Sequence, residues 1–172
     1  KLVLATDLAA HFGFVEKLKL TTTSDRNKTS TAATNVDNIV AMKIAIKLSD
    51  IGHCAKELNL HLKWSEAVTE EFYRQGDLER KDGVNFPNGP EPLWDRQASH
   101  LFPKNQANFI RIFITPFHAI VSDLFPTMTY VREVAERNFL YWSLFDGTGD
   151  AKDEREKRRE KMVSESTRRL RH

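Results

Sequence analysis

The sequence predicts an all-α fold, a compact multi-helix bundle, and three observations carry that prediction. Apolar residues recur at i, i+3, i+4 and i+7 in five successive segments, the spacing that lines one face of an α-helix. No stretch alternates apolar and polar residues as a half-buried strand would. The segments end where Pro, Gly or runs of Ser, Thr and Asn fall, the residues that interrupt helices. A chain of 172 residues with 40% hydrophobic content, eleven Phe and three Trp has the material for a sizeable core.

Residues 2–20 read as the first helix, apolar at Leu2, Val3, Leu4, Leu8, Phe12, Leu18 and Leu20 and weakened at Gly13. It begins without a capping residue, which leads us to expect that the chain is part of a longer protein. TTTSDRNKTSTAATN, residues 21–35, lacks any large apolar group to offset the entropy of ordering, and so predicts a solvated loop. Thr34 followed by Asp37 reads as a capping box with Asp in place of Glu. The helix after it carries Ile39, Val40, Met42, Ile44, Ala45, Ile46 and Leu48 and ends near Gly52; its apolarity predicts burial on more than one side.

The central helix is placed at about 58–82. Within it, KWSEAVTEEFYRQGD puts Trp64, Val68, Phe72 and Tyr73 on a face predicted to be buried, with Glu66, Glu70, Glu71 and Arg74 on or near the other. Residues 83–95, with three Pro and two Gly, form a loop. Pro103 suits the first turn of the next helix, whose apolar positions Phe109, Ile110, Phe113, Phe117, Ile120, Val121 and Leu124 keep helical spacing through Pro116. A kink is expected there, with Thr115 serving the freed backbone. Pro126 opens a last core helix with Val131, Val134, Phe139, Leu140, Trp142 and Leu144. Residues 1–147 are thus the folded region and 148–172 a charged tail, helical or disordered.

The net charge of +2 is the difference between 26 basic and 24 acidic residues, which gives no reason to expect a nucleic acid or an anionic membrane as partner. One cysteine, Cys54, excludes an internal disulfide and fits a reducing compartment, so a cytoplasmic or cytoplasm-facing location is expected. No run reaches the length of a membrane span.

Few residues offer chemistry. Asp50 closes an otherwise apolar helix, and a buried carboxylate there needs a counter-charge: it is either a metal ligand or a residue capping the helix or pairing with an Arg. His53, three residues on, is either a second ligand or an ordinary hydrogen-bonded histidine. Gln106 and Phe109 share a helix face. An amide beside an aromatic ring suits the edge and the plane of a purine, although a core Phe beside a solvated Gln has the same letters.

The longer motifs separate these readings. AMKIAIKLSDIGHCAKELNLHLKWSEAVTEEFYRQGDLER, followed by PLWDR and KNQANFIRIFITPFHAI and preceded by LVLATDL, resembles the C-terminal portion of the (HD-type) catalytic domain of class I 3′,5′-cyclic-nucleotide phosphodiesterases. The resemblance covers residues 2 to about 145. It implies hydrolysis of cAMP, cGMP or both to 5′-monophosphates at a site holding two divalent metal ions, Zn²⁺ and Mg²⁺ or Mn²⁺. Asp50 would be one of four protein ligands, Gln106 the amide that holds the purine and Phe109 one jaw of its clamp. Val68 and Phe72 would form the opposite wall, and Thr6, Asp7 and Leu8 would line the pocket near the metals. His53 stands where many members have Asn near the base, and His61 where some have a Tyr that orients the glutamine; a bond from His61 to Gln106 is expected.

The family's HNxxH and HDxxH motifs do not occur in this sequence. By the resemblance, the remaining metal ligands and the general-acid His belong to a preceding part of the catalytic domain, which would be this chain's partner. The isolated segment is expected to be inactive and poorly stable. The alternative is a non-catalytic helical module that binds a nucleotide or a protein.

Overall fold

A computed structural model of the chain describes residues 2–26, 37–83 and 93–144. The described residues are mostly helical, with no strand among them. The helices are α1 (His11–Arg26), α2 (Asn38–Asp50), α3 (Leu58–Lys81), α4 (Phe102–Phe109), α5 (Thr115–Leu124) and α6 (Thr129–Ser143). Short 3-10 segments lie at Val3–Thr6, Gly52–Ala55, Arg96–Leu101, which is kinked at Ala98, and Pro126–Met128, and a π-helical turn at Ile110–Ile114. The all-α class is as expected. The 148–172 tail and the 86–90 part of the Pro-rich loop lie outside the described residues. No described helix is long and apolar enough to cross a membrane. Two compact units are present, Lys1–Lys56 with Ile110–Glu136, and Glu57–Phe109 with Arg137–His172.

In the first unit, the single helix expected at 2–20 is two pieces. The Asp7 carboxylate accepts from the Ala9 amide at 2.9 Å, a local bond that competes with helix, and α1 starts only at His11. It then continues to Arg26, into the segment expected to be loop, because extending a formed helix fixes one residue per hydrogen bond whereas nucleation fixes several. His11, Val15 and Leu18 are its buried face, while Val3, Leu4, Leu8 and Phe12 are exposed. Asp37 is the N-cap of α2, accepting from the Ile39 amide at 2.9 Å. It is therefore not the third residue of a box begun by Thr34, which lies outside the described residues. Burial of α2 is confined to Ile44 and Lys47, with Ile39 and Met42 exposed, so the expected burial on several sides is corrected. Within this unit α2 meets the Val3–Thr6 and Gly52–Ala55 turns.

Helix α5 buries Phe117, His118, Ile120, Val121 and Leu124 and packs on α1. Pro116 lies in its first turn, where a missing N–H costs little. The discontinuity expected at Pro116 is the π turn just before it, and the Thr115 hydroxyl does serve the loosened backbone, donating to Ile110 O at 3.1 Å. Two buried histidines hold this unit together. His11 Nε2 donates to Phe113 O at 3.0 Å, with its ring against Phe113 and Phe117. His118 Nδ1 donates to Val131 O at 3.1 Å, and its Nε2 is buried with no partner.

Burial lowers the His118 pKa from 6.5 to about 4, the Val131 bond opposing it. The unfolded chain therefore binds the extra proton first as the pH falls. Stability is complete above pH 6.5 and is lost progressively toward pH 4, by about 3 kcal/mol. Replacing His118 with Gln, which keeps a donor for Val131 O without titrating, should flatten the urea-unfolding stability profile between pH 6.5 and 4. An unchanged slope would exclude His118 as its source.

In the second unit, α3 forms at almost the expected bounds, but its buried stripe is Leu58, His61, Leu62, Ser65, Thr69, Tyr73 and Gly76. Of the face expected to be buried, Tyr73 alone is fully so; Val68 and Phe72 are half-buried and Trp64 is 53% exposed. In α6 the buried residues include Ala135, Asn138, Tyr141 and Trp142, whereas Leu140 and Leu144, expected in the core, are exposed. Gly83, at φ 67°, follows the end of α3 in the left-handed conformation that glycine adopts without steric cost.

Residues 95 and 96 are pinned to α3 by charge. Arg96 makes a two-pronged contact with Glu70, at 2.7 and 3.1 Å, and reaches Asp77 at 3.0 Å. Its guanidinium lies 5.2 Å from the centre of the Tyr73 ring. Arg80 donates to Asp95 at 2.8 Å, and Asp95 caps the following turn through the Gln97 amide. The hydrogen bond from Arg96, then that from Arg74, holds the Glu70 carboxyl well below the usual carboxylate range. The acidic letters of EEFxxQGD thus do structural work here.

Candidate functional site

The residues singled out by sequence fall into two groups, one in each unit. In the first unit, Asp50 ends α2 and is exposed, which corrects the expectation that its carboxylate is buried in the core. Among the described residues it makes no side-chain hydrogen bond or ion pair, so neither a cap nor an Arg pairing accounts for it. Its charge acts on Lys47 and on His53.

Lys47 is fully buried and donates from Nζ to Ala5 O at 2.9 Å. Burial lowers its pKa, and the charges of Asp50 and Asp7 oppose that shift. Through this side chain the Val3–Thr6 turn, and with it Thr6, Asp7 and Leu8, is brought to the end of α2. The Thr6 hydroxyl is spent inside its own turn, donating to Val3 O at 2.8 Å. Asp7 is exposed and holds the Ala9 amide, and Leu8 is 44% exposed.

His53 lies in the Gly52–Ala55 turn, half-buried, with burial lowering its pKa and Asp50 opposing. A neutral imidazole is the form this favours. Its Nε2 is 3.4 Å from Cys54 Sγ, and burial pushes the Cys54 thiol up, which keeps it protonated and unreactive. For a hard divalent cation Asp50 fits in kind: it offers an exposed carboxylate with no hydrogen bond or ion pair among the described residues.

In the second unit, α4 carries Gln106, buried, and Phe109, half-buried, one turn apart. Gln106 Oε1 is buried without a hydrogen-bond partner among the described residues. Val68 and Phe72 are likewise one turn apart on α3. His61 does not turn to the glutamine as expected. Its Nε2 accepts from Trp142 Nε1 at 2.7 Å, and its Nδ1 lies 3.5 Å from Ser65 Oγ. Both its ring nitrogens thus meet other groups, and the Trp142 ring stands edge-on to it.

Sequence reasoning missed Lys47 and Trp142. A lysine inside AMKIAIKLSD gives no sign of its fate, since its long stem can as well carry the ammonium to water. Trp142 has the letters of any core aromatic, and only its indole N–H, which seeks an acceptor once buried, hints at a specific contact.

Known proteins resemble this chain in sequence and fold. The family model described as 3′5′-cyclic nucleotide phosphodiesterase matches residues 1–134. Probable 3′,5′-cyclic phosphodiesterase pde-1 of Caenorhabditis elegans is 33% identical over 128 residues, 74% of this chain and 17% of that protein. Dual specificity calcium/calmodulin-dependent 3′,5′-cyclic nucleotide phosphodiesterase 1B of Bos taurus is 32% identical over 124 residues, 72% of this chain and 21% of that protein. The solved structure of LmjPDEB1 in complex with IBMX superposes with a TM-score of 0.70 at 30% identity, covering 85% of this chain and 42% of that one. The chain therefore spans only about a fifth of the length of these curated relatives. The match over most of its own length, with an all-helical fold and the site motifs in order, establishes that the chain belongs to the 3′,5′-cyclic nucleotide phosphodiesterase family.

Proposed function

We propose that this chain is the base-binding half of a catalytic domain that hydrolyses 3′,5′-cyclic nucleotides to 5′-monophosphates. The buried, unpartnered Oε1 of Gln106 carries the reading. An unmet acceptor out of water costs about 1–3 kcal/mol, and the N–H edge of a purine removes that cost by donating to it. Phe109, one turn on, supplies a ring to stack on the base, with Val68 and Phe72 as the facing wall. His61 is occupied by Trp142 and Ser65, so it does not set the rotation of the Gln106 amide. This supports acceptance of both adenine and guanine, whose edges present opposite donor and acceptor patterns.

Asp50 would hold a divalent cation, with Thr6, Asp7, Leu8 and His53 around it; Zn²⁺ and Mg²⁺ or Mn²⁺ are the ions proposed. Divalent ions bound there supply Lewis-acid stabilisation of the phosphoryl oxygens and lower the pKa of a water. The rest of the domain is the proposed source of the other ligands and of the acid that protonates the leaving 3′ oxygen. In the cell we place the domain in the cytoplasm or facing it.

The complete native chain should hydrolyse cAMP and cGMP with Mg²⁺ or Mn²⁺, lose turnover on chelation and regain it when the cation is returned. A folded complete chain that turns over neither nucleotide would move the function to binding.

A further inference from the structure

We propose that Lys47 sets the strength of divalent-cation binding at Asp50, as a positioning residue that fixes the Val3–Thr6 turn and carries a positive charge one helical turn before that carboxylate on α2. The inference rests on the proposed metal role of Asp50. Its own ground is geometric. Lys47 lies one helical turn before Asp50 on α2 and has 0% exposure. A lysine is seldom so enclosed without compensation. Here the Ala5 carbonyl takes one N–H at 2.9 Å, and the carboxylates of Asp7 and Asp50 supply the opposing charge.

Two consequences follow from this placement. The bond to Ala5 anchors the turn that leads into Thr6, Asp7 and Leu8, so the backbone there keeps one position relative to the end of α2. The ammonium is also a resident cation in the field of Asp50. A divalent ion arriving at that carboxylate meets the field of a charge that cannot leave, and the repulsion between the two weakens binding. Lys47 thus holds the cation site at a moderate affinity, in the same step as it fixes the turn.

The test is Mn²⁺ affinity, by calorimetry on the metal-stripped complete chain. Lys47→Met keeps the apolar stem and removes the charge; the Mn²⁺ Kd should tighten about tenfold, as expected for removing a unit charge at this range in a partly screened site. Lys47→Arg keeps the charge and should stay within about threefold of wild type on the same ground. Should Lys47→Met fail to fold, Lys47→Gln, neutral but still able to donate, carries the same expectation. Unchanged or weaker Mn²⁺ binding in the folded neutral variant would overturn the proposal. Asp50→Ala, run alongside, separates this from the underlying reading: if it leaves Mn²⁺ binding intact, the metal role of Asp50 fails and the Lys47 inference with it. If it abolishes binding while the neutral Lys47 variants bind as wild type, the Lys47 inference alone fails.

Discussion

Asp50→Ala in the complete native chain should lower kcat for cyclic-nucleotide hydrolysis by about 10³-fold or more, because the cation proposed at this carboxylate, supplying several kcal/mol of transition-state stabilisation, would lose an anionic ligand. Stability should scarcely change. The carboxylate is exposed, bonded to none of the described residues, and stands at the C-terminal end of α2. A negative charge there opposes the helix dipole, and its removal gains a few tenths of a kcal/mol. Loss of its attraction for Lys47 acts the other way, so the two small terms largely cancel. The pairing of a large activity loss with an unmoved melting temperature identifies a ligand. Turnover within tenfold of wild type would refute the assignment, and a parallel loss of fold would show that Asp50 is structural instead.

Gly76→Ala should destabilise the protein by about 3 kcal/mol, the upper end of the cost of overpacking a well-filled site. Glycine inside α3 is itself a burden, since Ala there would be better by about 1 kcal/mol on helix propensity alone. Sterics decide the sign. A Cβ on Gly76 would collide with the backbone carbonyl of Trp94 and sit 3.2 Å from the Trp94 Cβ. Backbone cannot swing aside as a side-chain tip can, and the Trp94 segment is pinned beside the contact by Arg80 to Asp95 and by Arg96 to Glu70 and Asp77. The added methyl must therefore push the pinned loop off α3 or bend the helix. Urea unfolding checks the value, and a variant as stable as wild type would mean that the loop lifts without cost.

The exposed ion pairs around Arg96 would not be expected to matter singly, since surface pairs contribute little. Their value lies in being several at one place. They hold the described residues around Trp94 against a helix whose glycine admits them. The contacts of Asp77 and Gly76 with residues 94 and 96 thus tie the QGD run to the end of that loop.

The sequence by itself determined the all-α class, the placing of α2 through α6 within a few residues, and the pairing of Gln106 with Phe109 on one helix face. These rest on local properties: apolar spacing, the missing N–H of Pro103 and Pro126, and the one-turn repeat of a helix. It misjudged the end of α1, because helix extension beyond a packed segment is cheap even through Thr and Ser. Tertiary structure alone decided that α3 buries His61 and Ser65 and leaves Trp64 exposed, that Lys47 is enclosed, and that His61 takes its bond from Trp142, 81 residues away. Periodicity specifies which residues share a face but not what lies opposite. The fate of a buried histidine, lysine or glutamine depends on finding a donor or acceptor of the right kind at the right distance, and that partner sits far along the chain, where only the folded structure brings it near.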